Sequence, residues 1–404
     1  MDLGSSECRF QWHPSFPAQY SGQHSLTPGA QSATTHILTL YTGYALTHTT
    51  EAFADLEDAT GGGIGSAFGL AGYTNLDAVR TAQGIPLSKG PYLARLMLRQ
   101  IVPLSDEHIE VERDELHLAT SVPARRLEIR FGKFSLADFF DVNTWGRDSH
   151  LQFLNWTVDN DGAWDYAANT RGYTDGALVE YDDHWFSARF GEVLEPKVAN
   201  GIHLDADIAR AHASNLELEA QGSLFAHRRG AVRLLSYLNQ ANMGHYREAI
   251  TDYLDGQTST PDIVATRRQG RHKYGFGLNF EQEITPQVGI FGRLGWDDGS
   301  NESFAYTERR RPDARTRRPD PRWFLASTER SGRNRLCCQR DRGGPSAISC
   351  ARRSRLFARG WRPGLWLGKN LRGVFTPPTS GAASSHRAAC SMSTIRVITR
   401  SVVR

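Results

Sequence analysis

The chain has 404 residues and a net charge of +3, with 38 glycines and 10% aromatic residues. No run of 18 apolar residues occurs, which excludes an ordinary membrane-spanning helix. The first 25 residues have neither a basic start nor an apolar stretch of seven, so no secretory signal peptide is visible.

That small net charge hides a break near Glu308. Residues 309–404 hold 22 Arg and one Lys against four acidic residues, a net charge of +19, which leaves −16 on residues 1–308. The two parts differ in pattern as well as in sign.

Through residues 1–308, apolar and polar residues alternate over the 8–11 positions that a tilted strand needs to cross a bilayer. Weaker alternation predicts strands over 35–45, 47–57 and Tyr92–Pro103. Over 127–132 the pattern is strict, with Leu127, Ile129 and Phe131 opposite Glu128 and Arg130. A strand at Thr174–Asp182 precedes 185–191, where Phe186, Ala188 and Phe190 oppose Ser187 and Arg189. In 216–221, Leu216 and Leu218 oppose Glu217 and Glu219. Strands over 231–241, 273–281 and 288–296 complete the series, the last with Arg293 on its polar face.

Polar turns at 181–184, 227–230 and 285–287 predict antiparallel hairpins. Long connections lie at 61–91, 104–125, 135–171, 195–208 and 244–271, with helical pieces expected over 136–141 and Tyr246–Leu254. Short turns alternating with long loops suit an outer-membrane barrel. A soluble β-sandwich alternates in the same way. Polar faces rich in Arg and Glu favour the barrel, whose lumen is wet.

Residues 309–404 show neither strand nor helix periodicity. Their Arg clusters could serve as a basic arm for nucleic acid or anionic lipid. The excess of Arg over Lys is also what GC-rich codons give when translated out of frame, and that reading is preferred. Cys337, Cys338, Cys350 and Cys390 match no zinc spacing, so no metal is expected.

The stretch Phe131-Gly132-Lys133-Phe134-Ser135-Leu136-Ala137-Asp138-Phe139-Phe140-Asp141-Val142-Asn143 resembles a signature of the carbohydrate-selective porins, the OprB-type family. Gly162-Ala163-Trp164-Asp165-Tyr166-Ala167-Ala168-Asn169-Thr170-Arg171-Gly172-Tyr173 is similar to a second, and Glu195-Pro196-Lys197-Val198-Ala199-Asn200-Gly201 to a third. Further matches are Tyr274-Gly275-Phe276-Gly277-Leu278-Asn279-Phe280-Glu281-Gln282 and Arg293-Leu294-Gly295-Trp296-Asp297-Asp298-Gly299. They keep the family's order across roughly residues 10–307.

The resemblance implies an all-β, antiparallel transmembrane β-barrel of about sixteen strands that passes carbohydrates and other small polar solutes across the outer membrane. It implies contact with outer-membrane lipid and with the barrel assembly machinery, no cofactor and no nucleic-acid partner. A homotrimer is common among porins. Two departures stand out. Only ten or eleven strands precede Glu308, and the chain ends in Ser401-Val402-Val403-Arg404 rather than in an aromatic residue. The expected organisation is therefore an incomplete barrel portion over 1–308 and an irregular or disordered, out-of-frame segment over 309–404.

A sugar path needs aromatic faces to stack on pyranose rings and planar charged groups to replace sugar hydration. On the polar strand faces the candidates are Arg95, Arg99, Glu128, Arg130, Glu180, Arg189, Glu217, Glu219, Arg233, Glu281 and Arg293. Their mixed signs fit neutral solutes. In the 135–171 loop, which the family resemblance folds inward, they are Asp138, Asp141, Asn143, Trp145, Trp156, Trp164, Asp165 and Arg171. Each lumen charge could instead be a rung of a salt-bridge ladder, and each aromatic a wall anchor. A porin for organic anions is one alternative, and a soluble carbohydrate-binding module with a basic arm is another. Paired carboxylates such as Glu217 and Glu219 could serve glycoside hydrolysis, but no nucleophile, phosphate or metal motif accompanies them, so no enzyme is expected.

Overall fold

The computed structural model describes residues 4–18, 26–64, 90–147, 152, 156–223, 228–285 and 288–305, with short strands at Ser327–Thr328, Arg335–Leu336 and Trp366–Lys369. The expected disorder of 309–404, most of the 61–91 connection and the turn tip at 286–287 lie outside the described residues.

Alternation becomes one antiparallel sheet. Its strands are β1 (Gly4–His13), β2 (Gln31–Leu40), β3 (Gly43–Ala45), β4 (Thr50–Gly61), β5 (Tyr92–Pro103), β8 (Arg126–Phe134), β9 (Thr174–Asp182), β10 (Phe186–Leu194), β11 (His212–Gly222), β12 (Gly230–Met243), β13 (Arg268–Thr285) and β14 (Val288–Asp297). Each long strand pairs with the next in sequence, and β3 lies against β4. Between β5 and β8, β6 (His108–Glu110) and β7 (Ser121–Pro123) form a separate hairpin. Tyr246–Leu254 is helical as expected, a short helix covers Trp156–Asp159, and only Leu136–Asp138 of the 136–141 stretch is helical, as a single 3₁₀ turn.

Two elements depart from the sequence reading. β1 was not expected, although Phe10 and Trp12 stand on one of its faces and Glu7 and Gln11 on the other. The 104–125 connection is long as expected but lies at the short-turn end: β5 and β8 meet at Pro103↔Arg126, the end of the sheet where β9 turns into β10 near Asp182. The loops 135–173, 195–211 and 244–267 are at the opposite end.

Which face is covered separates barrel from sandwich. A sandwich buries its apolar face, yet here Phe131 is 65% exposed, Leu234 56% and Leu294 57%, while Glu217 is 0%, Glu128 1% and Arg99 3% exposed. Leucines outward and charges inward suit a sheet with lipid outside and a polar lumen inside. No helix among the described residues is long and apolar enough to cross a membrane.

The interior also has an apolar patch. Phe53, Met97, Leu178, Val193 and Leu235 from the strands pack with Leu136, Phe139, Phe140 and Trp164 of the 135–173 loop. That loop is thus glued to the inner wall instead of standing in solvent. Among the described residues the sheet stays open. β14 pairs on its outer side only over Val288–Phe291, with Trp366–Lys369, and no pairing joins it to β1. Unpaired backbone groups on such an edge are costly in lipid.

Candidate functional site

Register sets the geometry of the inner face. Because strand side chains repeat with period two, every inward Arg meets inward residues of both neighbouring strands. Arg99 on β5 donates to Glu51 of β4 at 2.8 Å and, in a two-pronged contact, to Glu128 of β8 at 2.7 and 2.8 Å. Glu128 also receives Arg126 (2.6 Å) and Arg130. Arg130 continues to Glu180 of β9 at 2.8 Å. Arg189 on β10 takes up the other side of Glu180 (2.8 Å) and reaches Glu217 (2.5 Å) and Glu219 (2.9 Å) on β11. Arg233 on β12 joins Glu219 (3.0 Å) to Glu281 of β13 (2.9 Å).

The result is an unbroken belt of alternating guanidinium and carboxylate groups across eight successive strands, β4 to β13. Arginine suits it because its planar fork serves two carboxylates at once. Arg95 stands outside the belt and binds Asp55 (3.0 Å) and Asp138 (2.8 Å).

The 135–173 loop descends onto this belt. Asp141 adopts a left-handed φ of 54°, uncommon for a residue with a Cβ but tolerated best by Asp and Asn. Its N–H donates to Glu217 at 2.7 Å, and its carboxylate accepts the N–H of Asp161 at 2.7 Å. From β14, Arg293 grips the carboxylate of Asp141 (2.8 and 3.0 Å) and the carbonyls of Asp141, Gly146 and Val158. Asn143 bonds Asn279 of β13 at 2.8 Å, and the N–H of Thr144 donates to Glu281 at 2.6 Å. Glycine makes the approach possible: a Cβ on Gly295 would come within 2.0 Å of Asp161 Oδ1, and one on Gly289 within 1.9 Å of Trp145 Cε2.

The aromatic candidates separate. Trp164 is 1% exposed, donates Nε1–H to Asn215 at 2.9 Å and packs between Phe140 and Tyr166, so it anchors the loop. Arg171 lies on the Tyr92 ring, 3.6 Å from its centre. Trp145 lies against β14 and is only half-buried. The side chain of Trp156 lies outside the described residues.

Asp165 belongs to a second cluster, on the long-loop side. It accepts from Ser303 Oγ (2.8 Å) and from the N–H groups of Phe304 and Ala305, and it pairs with Lys273 at 3.3 Å, which also holds Asp297 at 3.0 Å. Glu195, immediately after β10, is fully buried beside this cluster, and neither of its carboxyl oxygens has a hydrogen-bond partner. Burial, reinforced by the negative charge of Asp165 and opposed by Lys273, pushes its pKa well above the ordinary 4.5. The unfolded chain releases this proton near its ordinary value and the folded one keeps it. The group's contribution to stability is therefore complete below about pH 4.5 and falls as pH rises towards the folded pKa. Glu195→Gln should stabilise the fold increasingly as pH is raised from 4 to 8, read as urea midpoints in detergent. Parallel midpoints across that range would mean that the carboxyl is charged and solvated. The sequence showed Glu195 only within a family-like motif and gave no sign that it is buried.

An antiparallel sheet with lipid-suited residues outside, paired charges inside and a loop folded over them defines a porin-type membrane channel. The chain belongs to the carbohydrate-selective porin, OprB family, whose description matches residues 23–309. This is a family of outer-membrane channels, not of enzymes. No curated protein matches the chain. Among the described residues, no group of three or more His, Cys, Asp or Glu is placed to hold a metal ion.

Proposed function

We propose that residues 1–308 form the wall and constriction of a passive, cofactor-free outer-membrane channel for carbohydrates and other small polar solutes. The belt of alternating Arg and Glu across eight strands carries this reading, because paired charges present planar donors and acceptors without a field that selects one ion sign. Asp138, Asp141, Asn143 and Trp145 bring the loop side of the path. The test is a planar-bilayer recording with neutral mono- and disaccharides as probes. Concentration-dependent reduction of current by sugar is expected. Block by di- and tricarboxylates but not by sugars would replace this reading with an organic-anion porin.

We further propose that residues 309–404 are translated out of frame, so that strands meant to cover β14 and β1 are absent. The charge break falls within a residue of the end of the family match, and the uncovered length of β14 asks for a partner strand. The check is to sequence the coding DNA past codon 290. A second frame that restores alternation after Tyr306 and ends in an aromatic residue is expected. If no frame does so, the basic arm is genuine.

A further inference from the structure

The connection from β5 to β8 departs from its surroundings. The other described connections at that end of the sheet are compact, whereas residues 104–125 build a hairpin with its own ladder. Leu104 N–H donates to Arg125 O at 2.9 Å, Ala124 N–H to Glu107 O at 2.7 Å and Val111 N–H to Thr120 O at 3.0 Å. The far part of this hairpin turns back into the barrel. The N–H groups of Leu118 (3.2 Å) and Ala119 (2.8 Å) donate to the carboxylate of Glu51, an inward residue of β4 that also holds Arg99. Leu116 is buried in the same apolar cluster as the inward residues Phe53 and Met97, and a Cβ on Gly43 would touch Leu118 at 3.1 Å. Hydrogen bonds and apolar packing independently place residues 114–119 against the inner wall.

We propose that residues 104–125 form a second constriction of the channel, entering from the end opposite the 135–173 loop and latched on Glu51. This rests on the channel reading above and adds to it a second place where anions are excluded. The segment holds Asp106, Glu107, Glu110, Glu112, Asp114 and Glu115 against Arg113 and Arg125. Carboxylates in a narrow mouth repel anions and leave neutral polyols unaffected. The balanced belt and the acidic hairpin in series therefore favour sugars over organic acids. Glu51 is the coupling residue, since one carboxylate satisfies both the hairpin backbone and a belt arginine.

Hydrogen exchange on the full chain refolded in detergent tests the latch. The amides of residues 116–120 should be protected with those of β4 and β5, and Glu51→Ala should speed their exchange at least tenfold while β9–β12 stay protected. Leu118→Ser, which leaves the belt untouched, should loosen the same stretch less. Fast exchange of 116–120 in the unsubstituted chain, with the strands protected, would overturn the inference. Fast exchange everywhere would show that the chain without its closing strands does not fold, and the same two outcomes are then read on a frame-restored chain. Where channels are recorded, Glu51→Ala should raise conductance about twofold and shift permeability towards chloride. Unchanged conductance with an unlatched hairpin would show that the segment does not narrow the path.

Discussion

Arg189→Ala should be the most damaging single substitution in the barrel wall, at a cost of about 3–5 kcal/mol. Its guanidinium holds Glu180, Glu217 and Glu219 on the strands to either side, and those carboxylates are almost wholly buried. Truncation leaves Glu180 to Arg130 and Glu219 to Arg233 alone, and takes from Glu217 its arginine partner. Glu217 is the worst placed, because it keeps only the N–H of Asp141. The expected result is a lower temperature for the heat-induced gel shift and a lower urea midpoint. Arg189→Lys should recover only part of the loss, since a point charge cannot fork between three carboxylates. Glu217→Gln with Glu219→Gln in the Arg189→Ala background should recover more, because it removes the stranded charges themselves. Were Arg189→Ala as stable as the parent, lumen water would be screening these contacts, as it does for surface pairs worth under about 1 kcal/mol.

Much of the wall was legible because strand periodicity is local. The apolar and polar faces of Leu127–Phe131, Glu217–Glu219 and Tyr274–Phe280 are fixed by period two, so inward and outward residues follow without knowing any partner. Pairing is not local. Nothing near Arg189 in the sequence says that its three carboxylates come from β9 and β11, because register is set by the whole sheet. From the sequence, the lumen charges fit a salt-bridge ladder as well as a sugar path; the distances between strands add that they pair with one another. Trp164 was open between sugar contact and wall anchor for a related reason, because the Asn215 that takes its N–H lies on another strand. β1 is not among the sequence-predicted strands, even though Phe10 and Trp12 alternate with Gln11 and His13. The glycines of β13 and β14 were a usable signal: small residues on an inward face mark where another segment comes close, and Gly289 and Gly295 sit under Trp145 and Asp161.

Arg293→Ala should dissociate constriction from stability, in contrast to Arg189. From β14 it reaches across to the loop and satisfies the Asp141 carboxylate together with three loop carbonyls; truncation leaves the carbonyls of Gly146 and Val158 without this donor, while Asp141 keeps Asn279 and the N–H of Asp161. Each buried acceptor left unpaired costs about 1–3 kcal/mol. The cheapest remedy is for the loop to lift into water, since it is held otherwise by Asn279, Glu217, Glu281 and the Phe139–Phe140 packing. The left-handed backbone at Asp141 adds to the tendency, because a strained residue stays strained only while its neighbours hold it. The belt does not contain Arg293, so the heat-induced gel shift should move little. Single-channel conductance should rise severalfold and sugar block should weaken, while amides of residues 139–147 lose protection from exchange. Asn279→Ala, which removes only one of the tethers, should give the same changes at smaller size. If Arg293→Ala lowers the unfolding temperature as far as Arg189→Ala and leaves conductance unchanged, the loop is part of the wall, and the narrowing of the path must be sought elsewhere along the belt.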